Sequence, residues 1–231
     1  MIPLKRALTS TVGRKFVMSI SGIALVLFVI VHLLGNLTLL IPDGGEAFNK
    51  YAHNFESLGV ALYVIELGLL SVILLHIALG FIITLQNRRS RSKNYGEHIQ
   101  TKGGPSNLSP FSKNMFWSGF FIGLFIIGHV IHFRIAKIFT SEKTMINGEE
   151  VTDLYAMVLE AFADPVIVVV YVTASLILGF HLRHGFWSAM QSLGAMKPQW
   201  TKGIYAIGFF VAFVLALGFI ALPVYLFLIQ L

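Results

Sequence analysis

The chain has no cysteine. That excludes disulfides, Cys-bound zinc and a cysteine-ligated iron–sulfur cluster held by this chain, so any metal must be bound by His, Met or carboxylate. Charge is scarce too. Charged residues are 12% of the 231 positions, against 56% hydrophobic ones. With a mean hydropathy of +0.77, the composition is that of a membrane protein rather than a water-soluble domain. Alternating segments of strand length are missing, which argues against a membrane β-barrel. The first apolar run is too long for a signal peptide and lacks an obvious cleavage site, so it is expected to be a retained span.

What is present is a series of five apolar runs, at roughly 16–41, 60–86, 115–138, 166–190 and 203–229. Each is long enough for a helix of about 20 residues to cross a bilayer. The expected fold class is therefore all-α integral membrane, a single domain over 1–231 built as a five-helix bundle. Polar punctuation separates the runs: IPDGG, KGGPSNLSP, DP and KPQW, all turn-forming. No clear internal repeat or broken helix of the kind found in transporters is evident.

Negative charge is nearly absent from one set of connecting segments. With the N-terminus cytoplasmic, the inner segments 1–15, 87–114 and 183–202 hold 13 of the 17 Lys and Arg but one acid, Glu97. The outer segments hold nine of the 11 acids. That is a strong positive-inside bias. The excess of +6 therefore points to anionic headgroups or a cytoplasmic partner, not to nucleic acid, and 87–114 is expected to be a basic cytoplasmic loop. Two outer stretches, EAFNKYAHNFESL (46–58) and EEVTDLYAMVLEAFADP (149–165), carry apolar residues at helical spacing. They are expected to be short helices at the membrane interface.

Inside the spans ionisable residues are few, and four histidines lie deep in them. His32, His76, His129 and His181 lie one in each of the first four runs. A lone imidazole in a span is as often a neighbour-bonded structural residue as a functional one, but one on each of four consecutive helices is harder to dismiss. A rise of about 1.5 Å per residue sorts them by depth, His32 and His129 on an outer level and His76 and His181 on an inner level about 15 Å away. Two neutral imidazoles facing each other at one depth are what a six-coordinate haem iron needs axially, the porphyrin supplying four nitrogens. One zinc or copper ion held by all four is disfavoured by that separation. His132 and His184, three residues beyond His129 and His181, match the opposite ligands less well in depth. Gly22, Gly35, Gly80, Gly128, Gly179 and Gly185 lie near the candidates, where small side chains would leave room for a flat cofactor. Arg14, Lys15, Arg183 and His184 lie at the inner boundary, where they either meet headgroups or pair with propionates. Glu66, the only carboxylate well inside a span, is either hydrogen-bonded and structural or part of a proton or quinone site. His53 and Glu56, in the outer surface helix, are placed to exchange protons with solvent if a quinone docks nearby.

These residues resemble a known family. VHLLGN with His32, EAFNKYAHNFESL with His53 and Glu56, ALYVIELGLLSVILLHIALG with Glu66 and His76, GHVIHFRIA with His129 and Arg134, and FHLRHGFWS with His181 and Trp187 are similar, in order and spacing, to segments of the single five-helix, di-haem cytochrome b anchor of succinate dehydrogenases and fumarate reductases. The resemblance implies two haems b, the outer on His32 and His129 and the inner on His76 and His181. It implies Ser19 near the inner propionate and an acid around Glu56 at an outer quinone site. It implies an FAD flavoprotein subunit and an iron–sulfur subunit docked on the cytoplasmic face, and menaquinone as bound substrate. It also implies a multi-pass subunit of the bacterial cytoplasmic (inner) membrane, with a dimer of complexes as one arrangement open to it. The chain would then be the electron-transfer subunit of an enzyme whose dicarboxylate chemistry lies on another subunit. In a fumarate reductase the electron flow reverses. The competing expectations are a haem b subunit of another complex, such as a nitrate reductase or hydrogenase, and a haem-free transporter using His and Glu66 as a proton relay.

Overall fold

The computed structural model describes residues 10–90, 100–101, 104–105, 114–139, 142–146 and 148–231. The N-terminal segment before Ser10 and most of the expected basic loop 87–114 lie outside the described residues. Among those described, five helices are long and apolar enough to cross a membrane.

The first is α1 (Thr11–Asn36), continued by a 3₁₀ turn over Leu37–Leu40. It starts earlier than hydropathy suggests because Ser10 caps it, its Oγ accepting from Gly13 N at 3.0 Å and satisfying one orphan donor of the first turn. α2 (Glu46–Glu56) is the first expected surface helix. α3 (Val60–Arg89) is the second span. A two-residue bridge pairs β1 (Gln100–Thr101) with β2 (Gly104–Pro105). α4 (Met115–His129) is the third span, and it runs on through a π turn (Val130–Ile135) and a 3₁₀ turn (Ala136–Phe139).

The second expected surface helix is only partly a helix. Glu149–Thr152 forms strand β4, antiparallel to β3 (Lys143–Ile146), and helix α5 begins at Leu154 (Leu154–Ala163). The reason is local. The sequence there reads Asn-Gly, the strongest two-residue hairpin signal, and Gly148 has φ of +85°. Asp153 then caps α5, its carboxylate accepting from Ala156 N at 3.0 Å. Asp164 starts the fourth span α6 (Pro165–Ser192) in the same way, accepting from Val166 N at 2.8 Å. The fifth, α7 (Pro198–Leu228), also opens on a proline, whose fixed φ suits the first helical turn and moves the start ahead of the apolar run.

Packing is uneven. α1, α3, α4 and α6 contact one another in a ring, α1 against α3 and α6, α4 against α6, with the α3–α4 side most lightly packed. α7 carries no histidine and lies outside the ring, packed most extensively on α6. The buried core follows that seam, with Val26 and Leu33 of α1, Leu182 of α6, and Leu215, Leu222 and Leu226 of α7. Close approach there rests on small residues. A Cβ on Gly179 would meet Ala216 at 2.8 Å, and one on Gly218 would meet Leu33 at 2.7 Å. By contrast α4 buries no residue and α3 only Leu79. The ring that carries the histidines is thus anchored on one side by α7 and loosely packed on the other.

Candidate functional site: two histidine pairs inside the helix ring

The structure brings His32 of α1 and His129 of α4 together. Their ring centroids are 5.8 Å apart and the ring planes stand 84° to each other. Each is backed by a phenylalanine one turn earlier on its own helix: Phe28 stacks on His32 at 5.5 Å and Phe125 on His129 at 5.7 Å. Phe219 of α7 stacks on the other side of His32 at 5.8 Å. The second pair lies further along the ring, where His181 of α6 is within electrostatic range of His76 of α3.

Each of the four imidazoles has a polar neighbour at Nδ1. Ser21 Oγ lies 3.1 Å from His76 Nδ1 and Ser118 Oγ 3.0 Å from His181 Nδ1. Tyr171 Oη lies 3.2 Å from His129 Nδ1, and Asn36 Nδ2 lies 3.5 Å from His32 Nδ1. None of these four neighbours stood out in the sequence, since a serine, tyrosine or asparagine inside a span carries no signal until its partner is known. In all four histidines it is Nε2 that is left for a ligand. Two pairs of nitrogen donors are what the arrangement offers. Among the described residues no group of three or more His, Asp or Glu side chains could hold a metal ion unaided, so a metal at either pair needs its remaining ligands from elsewhere.

The glycines divide by task. A Cβ on Gly22 would meet His76 Cε1 at 3.2 Å, and one on Gly119 would meet His181 Cε1 at 3.3 Å. These two let the second pair lie flat against the neighbouring helix. Gly80 and Gly185 receive the methyls of Met18 and Met115. Gly128 faces open space, Gly35 receives the Tyr51 ring of α2, and Gly179 seats α7. Gly35 and Gly179 therefore serve helix docking, which spacing along one helix cannot distinguish from room for a cofactor.

The rival histidines lie beside the pairs and make ring contacts of their own. His132, on the π turn, stacks on Phe133 at 4.7 Å. It lines a groove of about 650 Å³ between α4 and α6 that also holds His129 and Tyr171. It also borders a second pocket of about 460 Å³ that includes Glu160 and Asp164. His184 packs edge-on against Trp187 at 5.5 Å.

The remaining candidates have found partners. Both oxygens of Glu66 accept from Arg134, Oε1 from Nε at 2.8 Å and Oε2 from Nη2 at 3.1 Å. Glu56 is ion-paired with Lys137, and His53 Nε2 lies 3.4 Å from Glu149. Ser19 is buried and donates to Lys15 O at 2.8 Å. Arg14 is half-buried in the first turns of α1, and the Arg183 guanidinium lies 5.6 Å from the Phe209 ring centroid of α7. Near the same end of the bundle, Trp187 Nε1 and Gln86 Oε1 are buried without a hydrogen-bond partner among the described residues.

No protein-family model, curated protein or solved structure matches the chain.

Proposed function

We propose that this chain is the di-haem cytochrome b membrane anchor of a succinate:menaquinone oxidoreductase. The observation that carries the reading is the four-helix ring in which His32, His76, His129 and His181, drawn from four different spans, group as two pairs, of which His32 and His129 face each other at 5.8 Å. Metal–nitrogen bonds of about 2 Å on each side of an ion are compatible with that spacing. A pair of imidazoles with no third protein ligand suits a cofactor that brings four nitrogens of its own.

Further features fit the group. Gly22 and Gly119 give the second pair flat surroundings. Trp187 Nε1 is a buried donor with no partner among the described residues, the kind of atom a carboxylate-bearing cofactor satisfies. In this reading His32 and His129 hold the outer haem, and His76 and His181 hold the inner one. Arg14, Arg183 and Ser19 lie toward the inner propionates. When bound, the two haems supply one-electron carriers spaced along the membrane normal.

The chain's own residues supply position and protons. Positive charge concentrated on the inner segments faces the iron–sulfur subunit, which receives electrons from the FAD flavoprotein subunit. At the outer end, reduction of menaquinone takes up two electrons and two protons. His53 beside Glu149 and Glu56 beside Lys137 are exposed enough to pass such protons from solvent. Glu66, held at both oxygens by Arg134, is assigned a structural part. The same arrangement run in reverse would serve a quinol:fumarate reductase.

The test is a reduced-minus-oxidised spectrum of the purified protein, which is expected to show low-spin b-type haem. Its absence sinks the reading. His32→Ala and His76→Ala, prepared separately, are each expected to remove a different haem. Loss of the same haem in both overturns the pairing.

A further inference from the structure

The two halves of the ring repeat each other. Met18, Ser21, Gly22, Phe28 and His32 of α1 recur at the same spacing as Met115, Ser118, Gly119, Phe125 and His129 of α4. On the following spans, His-x₃-Gly-Phe occurs at His76 and again at His181. The contacts repeat too. A Cβ on Gly80 would lie 3.5 Å from the Met18 methyl, and one on Gly185 would lie 3.4 Å from the Met115 methyl. Ser21 faces His76 as Ser118 faces His181. The repeated Ser-Gly is therefore a device used twice, each time by one span on the histidine of the next.

Its chemistry follows from counting hydrogens. A serine hydroxyl has one proton to donate. Ser21 Oγ donates to Met18 O at 3.0 Å, and Ser118 Oγ donates to Met115 O at 3.0 Å. With that proton committed, each oxygen meets the imidazole as an acceptor, so Nδ1 carries the hydrogen and Nε2 the lone pair. The outer pair has no such device. His129 faces a phenol, and His32 faces an amide nitrogen that already donates to His32 O at 2.7 Å.

We propose that Ser21 and Ser118 are positioning residues that hold His76 and His181 in the Nδ1–H tautomer, with Nε2 directed at the inner site, and so tune that site alone. The proposal rests on the haem reading for its ligand but not for the tautomer. Donation from Nδ1 raises the basicity of Nε2 and favours the oxidised metal. The following glycine lets the ring lie close enough for the bond to form.

The experiment compares Ser21→Ala, Ser118→Ala, Ser21→Thr and Ser118→Thr in the full chain. Ser71→Ala serves as control, a helix serine that donates only to Leu67 O. In redox titrations both Ala variants are expected to raise the midpoint potential of one haem, the one that His76→Ala removes. They are also expected to weaken its retention roughly 10- to 100-fold. Threonine, which keeps the hydroxyl, restores both, and Ser71→Ala moves neither. Nitrogen NMR of the histidines in haem-depleted protein is expected to show the Nδ1–H form at His76 and His181, lost in the matching Ala variant. Ala variants with both potentials unchanged, a shift in the haem tied to His32, or Nε2–H imidazoles at His76 and His181 each overturn the proposal. If the wild-type chain binds no haem the functional reading falls, and the NMR arm still decides the serines.

Discussion

Several polar residues inside the spans are answered by a second residue. Glu66 and Arg134 show it most plainly. A carboxylate and a guanidinium in an apolar environment are each costly, and their two-point hydrogen bond joins α3 to the end of α4. Removing one partner strands the other. Glu66→Gln and Arg134→Met are each expected to lower stability by about 1–3 kcal/mol, read as a drop in Tm in detergent. The double variant Glu66→Leu/Arg134→Met is expected to lose less than the sum of the two. The glycines beside the second pair act at the same scale. A methyl added at either position would stand only 3.2–3.3 Å from the facing ring, so Gly22→Ala and Gly119→Ala are expected to need slight ring movement. The branched Gly22→Val and Gly119→Val are expected to turn the imidazole and abolish the inner haem signal while sparing the outer one.

Among the elements, α2 is the one whose position depends most on others. It lies against α1 through Tyr51, which enters the space left by Gly35, and against α5 through Asn49. The Asn49 carbonyl accepts from Leu154 N at 2.9 Å and Tyr155 N at 3.0 Å, and its amide donates to Asp153 at 2.9 Å. One side chain thus caps α5 together with Asp153. Asn49→Ala is expected to cost about 2–3 kcal/mol, from three hydrogen bonds of about 1 kcal/mol each. Proteolysis is expected to reach α2 first in that variant. Gly35→Ala places a methyl inside the Tyr51 ring and is expected to undock α2 as effectively. Burial raises the pKa of both Tyr51 and Tyr155. A raised folded-state pKa means that their contribution to stability is complete below the unfolded value of about 10 and is lost as pH rises above it. Thermal stability in detergent should therefore fall on the alkaline side of about pH 10, and less so in Tyr51→Phe.

The whole molecule offers a direct test of orientation, because a chain without cysteine accepts single labels cleanly. Cysteines placed at Glu149, in the hairpin, and at Ser192, the last residue of α6, are expected to react with a membrane-impermeant maleimide from opposite faces. In intact cells only the Glu149 position should label. Labelling of the Ser192 position instead would reverse the topology, and with it the face proposed to meet an iron–sulfur subunit.

Most of the architecture was legible residue by residue. Hydropathy is a local sum, so five spans could be read from windows of sequence, and starts moved where Ser10, Asp164 or a first-turn proline opened a helix. The positions of His32, His76, His129 and His181 could also be read, since depth along a helix is a product of residue number and rise. Three things were not legible. The hairpin at Lys143–Thr152 was hidden beneath an apparent helical stripe, although its Asn-Gly was in view. The repeat between α1 and α4 was blurred by interchangeable apolar residues, and only shared contacts brought it out. The partners of the polar side chains could not be read at all. Which helix faces which, and at what rotation, depends on non-local packing: Gly179 and Gly218 seating α7, Gly22 and Gly119 admitting a ring. Amino-acid order determined that this chain has five membrane-length apolar helices, with His32, His76, His129 and His181 spread over the first four. Tertiary structure alone decided that Ser21, Ser118 and Tyr171 face the Nδ1 atoms of His76, His181 and His129, because hydrogen bonding between helices acts over a few ångströms in space and not over any set distance in sequence, whereas Asn36 reaches His32 within one turn of the same helix.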